Sequence, residues 1–194
     1  MVKRICVFCG SSVGLRPAYA EAARELGRTL AERGVGVVFG GGKVGLMGVL
    51  ADAALAVGGE AIGVIPQALV AREIGHNGLT KLHVVHSMHE RKTLMADLAD
   101  GFIALPGGYG TFEEFCEAVT WTQLGIHKKP CGLLNIDGYY NALLALLDRA
   151  VADGFIRQAN RSLVLDAADV PTLLDKLMAF RPTGPELWIS KAER

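Results

Sequence analysis

The segment Pro106-Gly107-Gly108-Tyr109-Gly110-Thr111 runs straight into a stretch with helical periodicity. Glycines lack Cβ and let backbone N–H groups approach an anion, and a helix N-terminus adds partial positive charge. Thr111 can donate its hydroxyl to the same anion, so Gly107–Thr111 has the makings of a phosphate cradle. The alternative is a tight turn that binds nothing. Three glycines, the threonine at the helix start and a basic pair upstream, Arg91-Lys92, weigh against it. Glu113 and Glu114 fall in the first turn of the same helix, where acids ordinarily stabilise the helix dipole. A phosphate at that terminus would compete with them for the amides and repel them, so a second role is indicated. Neighbouring helical side chains diverge by about 100°, and only one of the two is expected to face a ligand. Arg91 and Lys92 open a helix of their own, where cations oppose the dipole. A ligand phosphate or a carboxylate partner would account for them.

Other groupings carry less chemistry. His83, His86 and His89 invite a metal reading, but residues an odd number apart in a strand point to opposite faces. No HExxH motif or carboxylate cluster accompanies them, and no metal is expected. Cys6 and Cys9 form a CxxC that ends a strand instead of opening a helix. With no second ligand pair for zinc, the four cysteines read as reduced structural thiols. The Gly-Lys-Ser/Thr ending of a Walker A loop is missing from the cradle segment. Gly40-Gly41-Gly42-Lys43-Val44-Gly45 does not match the dinucleotide fingerprint GxGxxG in the first strand-to-helix turn.

The elements that must hold these residues alternate regularly. Apolar runs at Arg4–Phe8, Val35–Phe39, Glu60–Ile65, Leu82–His86, Phe102–Leu105, Cys131–Asn135 and Ser162–Asp166 read as strands. Helical periodicity follows from Pro17, over Leu46–Val57, Met88–Asp100, Thr111–Leu124, Tyr139–Asp153 and Pro171–Phe180. Residues 67–80 fit only a short helix and a loop. Strand and helix in alternation imply βαβ units, right-handed crossovers and a parallel sheet covered on both faces. The expected fold is therefore α/β, a single Rossmann-like doubly wound parallel sheet over residues 1–180, with 181–194 as a tail. Ligands of such sheets bind outside the carboxyl ends of the strands. Four unusual segments fall there: Cys9-Gly10-Ser11-Ser12, the Gly40–Gly45 loop with Gly41 and Gly42, Ser87–Lys92, and the cradle. Their convergence says more than any one of them.

The chain has 194 residues, 51% of them hydrophobic, and balances 20 basic against 20 acidic side chains. A broad electrostatic footprint for nucleic acid or anionic lipid is not supported, so any anion must be held locally. No window approaches the roughly 20 apolar residues of a membrane span. The apolar part of the N-terminal segment is too short for a signal-peptide core, and a cytoplasmic location is expected.

GGGKVGLMG at Gly40–Gly48, MHERK at Met88–Lys92 and PGGYGTFEE at Pro106–Glu114 resemble the LOG ("Lonely guy") family of cytokinin riboside 5′-monophosphate phosphoribohydrolases, whose relatives often carry the label possible lysine decarboxylase. TWTQLGIHKKPCGLLNIDGYYNALL is similar too. The resemblance covers roughly residues 3 to 180. It implies hydrolysis of the N-glycosidic bond of adenosine 5′-monophosphates, N6-substituted or plain, with Glu114 and Arg91 catalytic. It implies nucleotide binding by Lys92 and the Gly108–Thr111 loop, with Glu73 and Thr120 lining the site. It implies a homodimer with the active site near the interface, and no cofactor. Two rivals stand beside it: a non-catalytic nucleotide-binding module on the same fold, and a decarboxylase using pyridoxal phosphate on a Schiff-base lysine. Lys43 and Lys92 are the only lysines in the convergent loops.

Overall fold

A computed structural model of the chain describes residues 2–70 and 75–181. Seven strands form one parallel sheet: β1 Arg4–Phe8, β2 Gly36–Phe39, β3 Ala61–Pro66, β4 Lys81–Val85, β5 Gly101–Ala104, β6 Cys131–Leu134 and β7 Val164–Ala167. Their order is β4-β3-β2-β1-β5-β6-β7, and every pairing is parallel. The helices are α1 Pro17–Glu32, α2 Gly45–Ala56, α3 Gln67–Val70, α4 Met88–Leu98, α5 Tyr109–Gln123, α6 Asn141–Ala152, α7 Gln158–Arg161 and α8 Val170–Ala179.

The apolar strand runs are apolar because both faces are covered. Within β1, Ile5 and Val7 pack on one face with Leu26, Leu30, Leu50 and Leu173, which come from α1, α2 and α8. Cys6 and Phe8 pack on the other with Met95, Phe115, Ala118 and Tyr140, from α4 to α6. That period of two assigns each strand residue to a layer. Right-handed crossovers require the helices to change face when strand order reverses. The reversal falls between β1 and β5, so the loops after these neighbours diverge and leave a crevice at their carboxyl ends.

The doubly wound parallel sheet is as expected, and the predicted strands lie within one or two residues of the observed ones. β3 runs on to Pro66, one residue past the predicted end. This costs no ladder bond from β2, whose last partner is Gly63. The short α7 is not among the expected elements. α4 starts at Met88 as expected and ends at Leu98, two residues before the expected Asp100. Ser87 accepts from the Glu90 amide at 3.0 Å and Glu90 Oε2 from the His86 amide at 2.8 Å. This Ser-x-x-Glu arrangement resembles a capping box, with the glutamate reaching the amide one residue before the N-cap, and it anchors the start at Met88 of a helix with Arg91 and Lys92 in its first turns. No helix among the described residues is long and apolar enough to cross a membrane.

Candidate active site

The cradle lies where the sequence reading places it, between β5 and α5. Gly108 is the N-cap of α5 and no side chain caps it. The first backbone bond of the helix runs from the Phe112 amide to the Gly108 carbonyl. The amides of Tyr109, Gly110 and Thr111 thus precede the helix ladder, as the leading amides of any helix do. The glycines divide into two kinds. A Cβ on Gly107 would come within 2.1 Å of Thr111 Oγ1 and 2.9 Å of the Gly10 nitrogen, whereas one on Gly108 or Gly110 would meet nothing within 4 Å. Neither Gly108 nor Gly110 has a positive φ. The fold thus requires glycine at 107, and at 108 and 110 it leaves open space.

That space belongs to a cleft of about 340 Å³ lined, among others, by Cys9, Gly10, Ser11, Gly40, Met88, Arg91, Tyr109, Thr111, Glu113 and Glu114. The size falls within the ~300–1,000 Å³ usual for small-ligand sites. Its loops interlock through close backbone approaches. The Gly10 amide donates to the Pro106 carbonyl at 3.1 Å and the Leu46 amide to the Gly10 carbonyl at 3.0 Å. A Cβ on Gly45 would sit 2.2 Å from the Ser11 carbonyl carbon, and Gly45 has φ 66°.

Arg91 is only 6% exposed. Its Nε donates to the Val64 carbonyl and its Nη2 to the Gly40 carbonyl, both at 3.1 Å. A Cβ on Gly40 would fall 2.1 Å from Nη2, so the first glycine of GGGKVG makes room for the guanidinium. Gly41 and Gly42, predicted to bind ligand, are off this wall. Gly41 has φ 78° and accepts from the His76 amide at 3.0 Å, and Gly42 bridges to Gly75. His76 is itself held by Asp52 at 2.9 Å. These contacts pin down the chain beyond residue 74. Glu73, predicted to line the site, lies outside the described residues, as does the tail from residue 182.

Lys92 leaves the first cleft. Its Nζ binds Glu113 at 2.6 Å and Glu117 at 3.0 Å, beside Trp121 and Phe102. Partial burial by itself would lower the pKa of this ammonium, but the hydrogen bonds and charges of the two carboxylates outweigh it and hold the group above its usual range. A carboxylate partner, one of the two explanations open to the sequence, is what the geometry provides. Glu114 sits on the inner side of α5; loss of solvent raises the pKa of the Cys6 and Cys9 thiols, and the charge of Glu114 adds to the rise. Glu114 is three residues after Thr111, hence one turn along the same helix face. Thr120 is exposed two turns further on and donates to the Cys116 carbonyl at 2.7 Å. Gly107 lines a second cleft of about 330 Å³, with Ser12, Tyr19 and Tyr139. The sequence reading passed over Tyr139; the aromatic pair Tyr139-Tyr140 directly after a glycine turn was the available signal. Among the described residues no group of three or more His, Cys, Asp or Glu is placed to hold a metal ion.

The family model described as "Possible lysine decarboxylase" matches residues 47–177. The chain is 51% identical over 185 residues to the cytokinin riboside 5′-monophosphate phosphoribohydrolase LOG7 of Arabidopsis thaliana, an alignment covering 95% of this chain and 85% of that one. It is 53% identical over 180 residues to the probable enzyme of the same name LOGL9 of Oryza sativa subsp. japonica, covering 93% and 79%. Among solved structures it resembles the molybdenum cofactor carrier protein of Chlamydomonas reinhardtii, with TM-score 0.70, 23% identity and coverage of 93% and 100%. It also resembles the molybdenum cofactor binding protein of Rippkaea orientalis, with TM-score 0.69, 22% identity and coverage of 92% and 97%. At those identities the structural likeness speaks for the fold alone. The sequence relatives and the family model go further, and by them this chain belongs to the LOG family of phosphoribohydrolases.

Proposed function

We propose that the chain hydrolyses the N-glycosidic bond of an N6-substituted adenosine 5′-monophosphate, releasing the free base, a cytokinin, and ribose 5-phosphate. One observation carries the reading: a single cleft holds an open amide cradle and, one helical turn away on the same face, the carboxylate of Glu114. A phosphate on the amides of Gly108–Thr111 brings the ribose toward that carboxylate. Cleavage of the bond from C1′ to the base nitrogen develops positive charge on the sugar. Glu114 stabilises this charge and takes the proton of the water that attacks C1′. Glu113 is the lesser candidate because Lys92 holds it and its side chain is 54% exposed.

The departing base needs a hydrogen-bond donor. The carbonyls that hold Arg91 follow β2 and lie within β3, two and three strands from β5. At about 4.8 Å per strand that is about 10–14 Å away, the right side of the cleft for the base when the phosphate sits at α5. Met47, Leu69, Met88 and Met95 give that cleft apolar lining, suited to an adenine with an apolar substituent. The decarboxylase reading is disfavoured by Lys92. A lysine that forms a Schiff base must shed its proton, and two carboxylates hold this one protonated.

The named relatives act on cytokinin riboside 5′-monophosphates, which supports the same substrate here. A homodimer in the cytoplasm completes the proposal. It is supported by α6, none of whose residues is buried within the chain, and by exposed Leu146 and Phe155. A sedimentation mass near 20.6 kDa, instead of twice that, would contradict the dimer. For the activity, the test is chromatography of the products from N6-isopentenyladenosine 5′-monophosphate. Isopentenyladenine and ribose 5-phosphate in equal amounts are expected. Release of the nucleoside and inorganic phosphate would mean that a different bond is cut.

A further inference from the structure

Gly107 and Gly108 share one peptide unit whose two ends serve different clefts. The Gly107 carbonyl accepts a hydrogen bond from the Tyr139 hydroxyl. Tyr139 and Gly107 line the second cleft and not the one with Arg91 and Glu114, while Gly108 lines both. In a trans peptide the carbonyl and the following N–H point in opposite directions. With its carbonyl drawn to Tyr139, this unit aims the Gly108 N–H away from Tyr139, and the other cleft that Gly108 lines is that of Glu114. No side chain of the unit itself enforces that orientation. A Cβ on Gly108 would meet nothing, and two successive glycines have no side chains to resist rotation of the peptide between them.

We propose that Tyr139 is a positioning residue for phosphate recognition, fixing through the Gly107 carbonyl the direction in which the Gly108 N–H is presented to the substrate. The chain invests local structure in delivering this hydroxyl. Tyr139 follows a turn in which Asp137, at φ 51°, and Gly138, at φ 71°, are both left-handed. Such a conformation is uncommon for a residue with a side chain and persists where its surroundings determine it. Arg16, in the loop after β1, pairs with Asp137 at 3.3 Å. Asn135 accepts from the Tyr140 amide at 2.7 Å. The Tyr139 ring meets Tyr140 edge-on at 5.0 Å and Tyr19 edge-on at 5.7 Å, and lies nearly parallel to Phe112 at 6.5 Å. The β6–α6 connection thereby reaches over to set an amide at the β5–α5 connection. The inference rests on the reading of Gly108–Thr111 as the phosphate seat.

Tyr139→Phe keeps the ring and removes only the hydroxyl. In the full chain, amide resonances of Gly108–Thr111 are followed by NMR as ribose 5-phosphate is added. The parent is expected to shift all four. Tyr139→Phe is expected to lose the Gly108 shift, keep that of Thr111, and bind ribose 5-phosphate about tenfold more weakly, the scale of one charge-assisted hydrogen bond. Its affinity for adenine, which has no phosphate, should be that of the parent. Tyr140→Phe removes a buried hydroxyl donated to the Leu105 carbonyl at 2.6 Å. It is expected to lower the melting temperature and leave ribose 5-phosphate affinity as it was, separating a structural tyrosine from a positioning one. Parent-like affinity and an intact Gly108 shift in Tyr139→Phe overturn the proposal while the phosphate seat stands. Ribose 5-phosphate binding to the parent with no shift anywhere in Gly108–Thr111 overturns the seat as well.

Discussion

α5 starts at Tyr109, two residues before the expected Thr111, so Glu113 and Glu114 fall in its second turn and not its first, where a helix-dipole role would place them; the structure also treats the two differently. Lys92 takes Glu113 as a partner at 2.6 Å, and Glu114 turns toward the buried end of β1. Glu114→Gln is expected to lower kcat by about 10² to 10⁴, the usual contribution of a positioned acid or base, with nucleotide affinity kept because the cradle is backbone. Glu113→Gln should stay within a few-fold of the parent. Steady-state kinetics beside calorimetric AMP binding checks both, and similar small losses in the two variants would leave Glu114 without a catalytic role. Helical geometry led to the expectation that only one of the two faces a ligand; both border the cleft, and they differ in that Lys92 holds Glu113. The fate of Lys92 was not legible. Its partners Glu113 and Glu117 lie on another helix, 21 and 25 residues away, and only the packing of α4 against α5 brings them together. The burial of Arg91 was hidden for the same reason, since its acceptors are backbone carbonyls of β3 and of the loop after β2.

The elements themselves were legible because most strands are short apolar runs that end near glycine, serine or proline, and helices such as α1, α6 and α8 repeat with the helical period. The weaker features were four-residue helices such as α7, too short to show a period. The Ser-x-x-Glu spacing of Ser87 and Glu90 was in the sequence too, at a helix start expected at Met88 on other grounds. The cradle element makes its own prediction through its glycines. Gly107→Ala places a methyl against Thr111 and the Gly10 backbone. It is expected to cost about 1–3 kcal/mol of stability, the usual penalty of overpacking. Gly110→Ala meets open space and improves helix propensity by up to about 1 kcal/mol, so its melting temperature should match or exceed the parent's. Its methyl stands where a phosphate would approach, and AMP affinity should fall. Thermal melts with AMP titrations check this. A Gly110→Ala variant that binds AMP as the parent does would leave the glycine without a ligand-based reason.

At the scale of the whole molecule, the balanced charge means that affinity for an anionic nucleotide must come from local geometry instead of a general field. The reversal of strand order between β1 and β5 supplies the place, and the glycine approaches among the loops after β1, β2 and β5 supply the shape. Binding energy from the 5′-phosphate, remote from the bond that breaks, then orients the ribose against Glu114, so its loss should lower kcat as well as raise KM. The most direct test is the ratio of kcat/KM for a 5′-monophosphate to that for its nucleoside, measured on the same preparation by release of free base. The account predicts cleavage of AMP or its N6-isopentenyl derivative and no detectable cleavage of adenosine or its N6-isopentenyl derivative. Equal kcat/KM for monophosphate and nucleoside would contradict it.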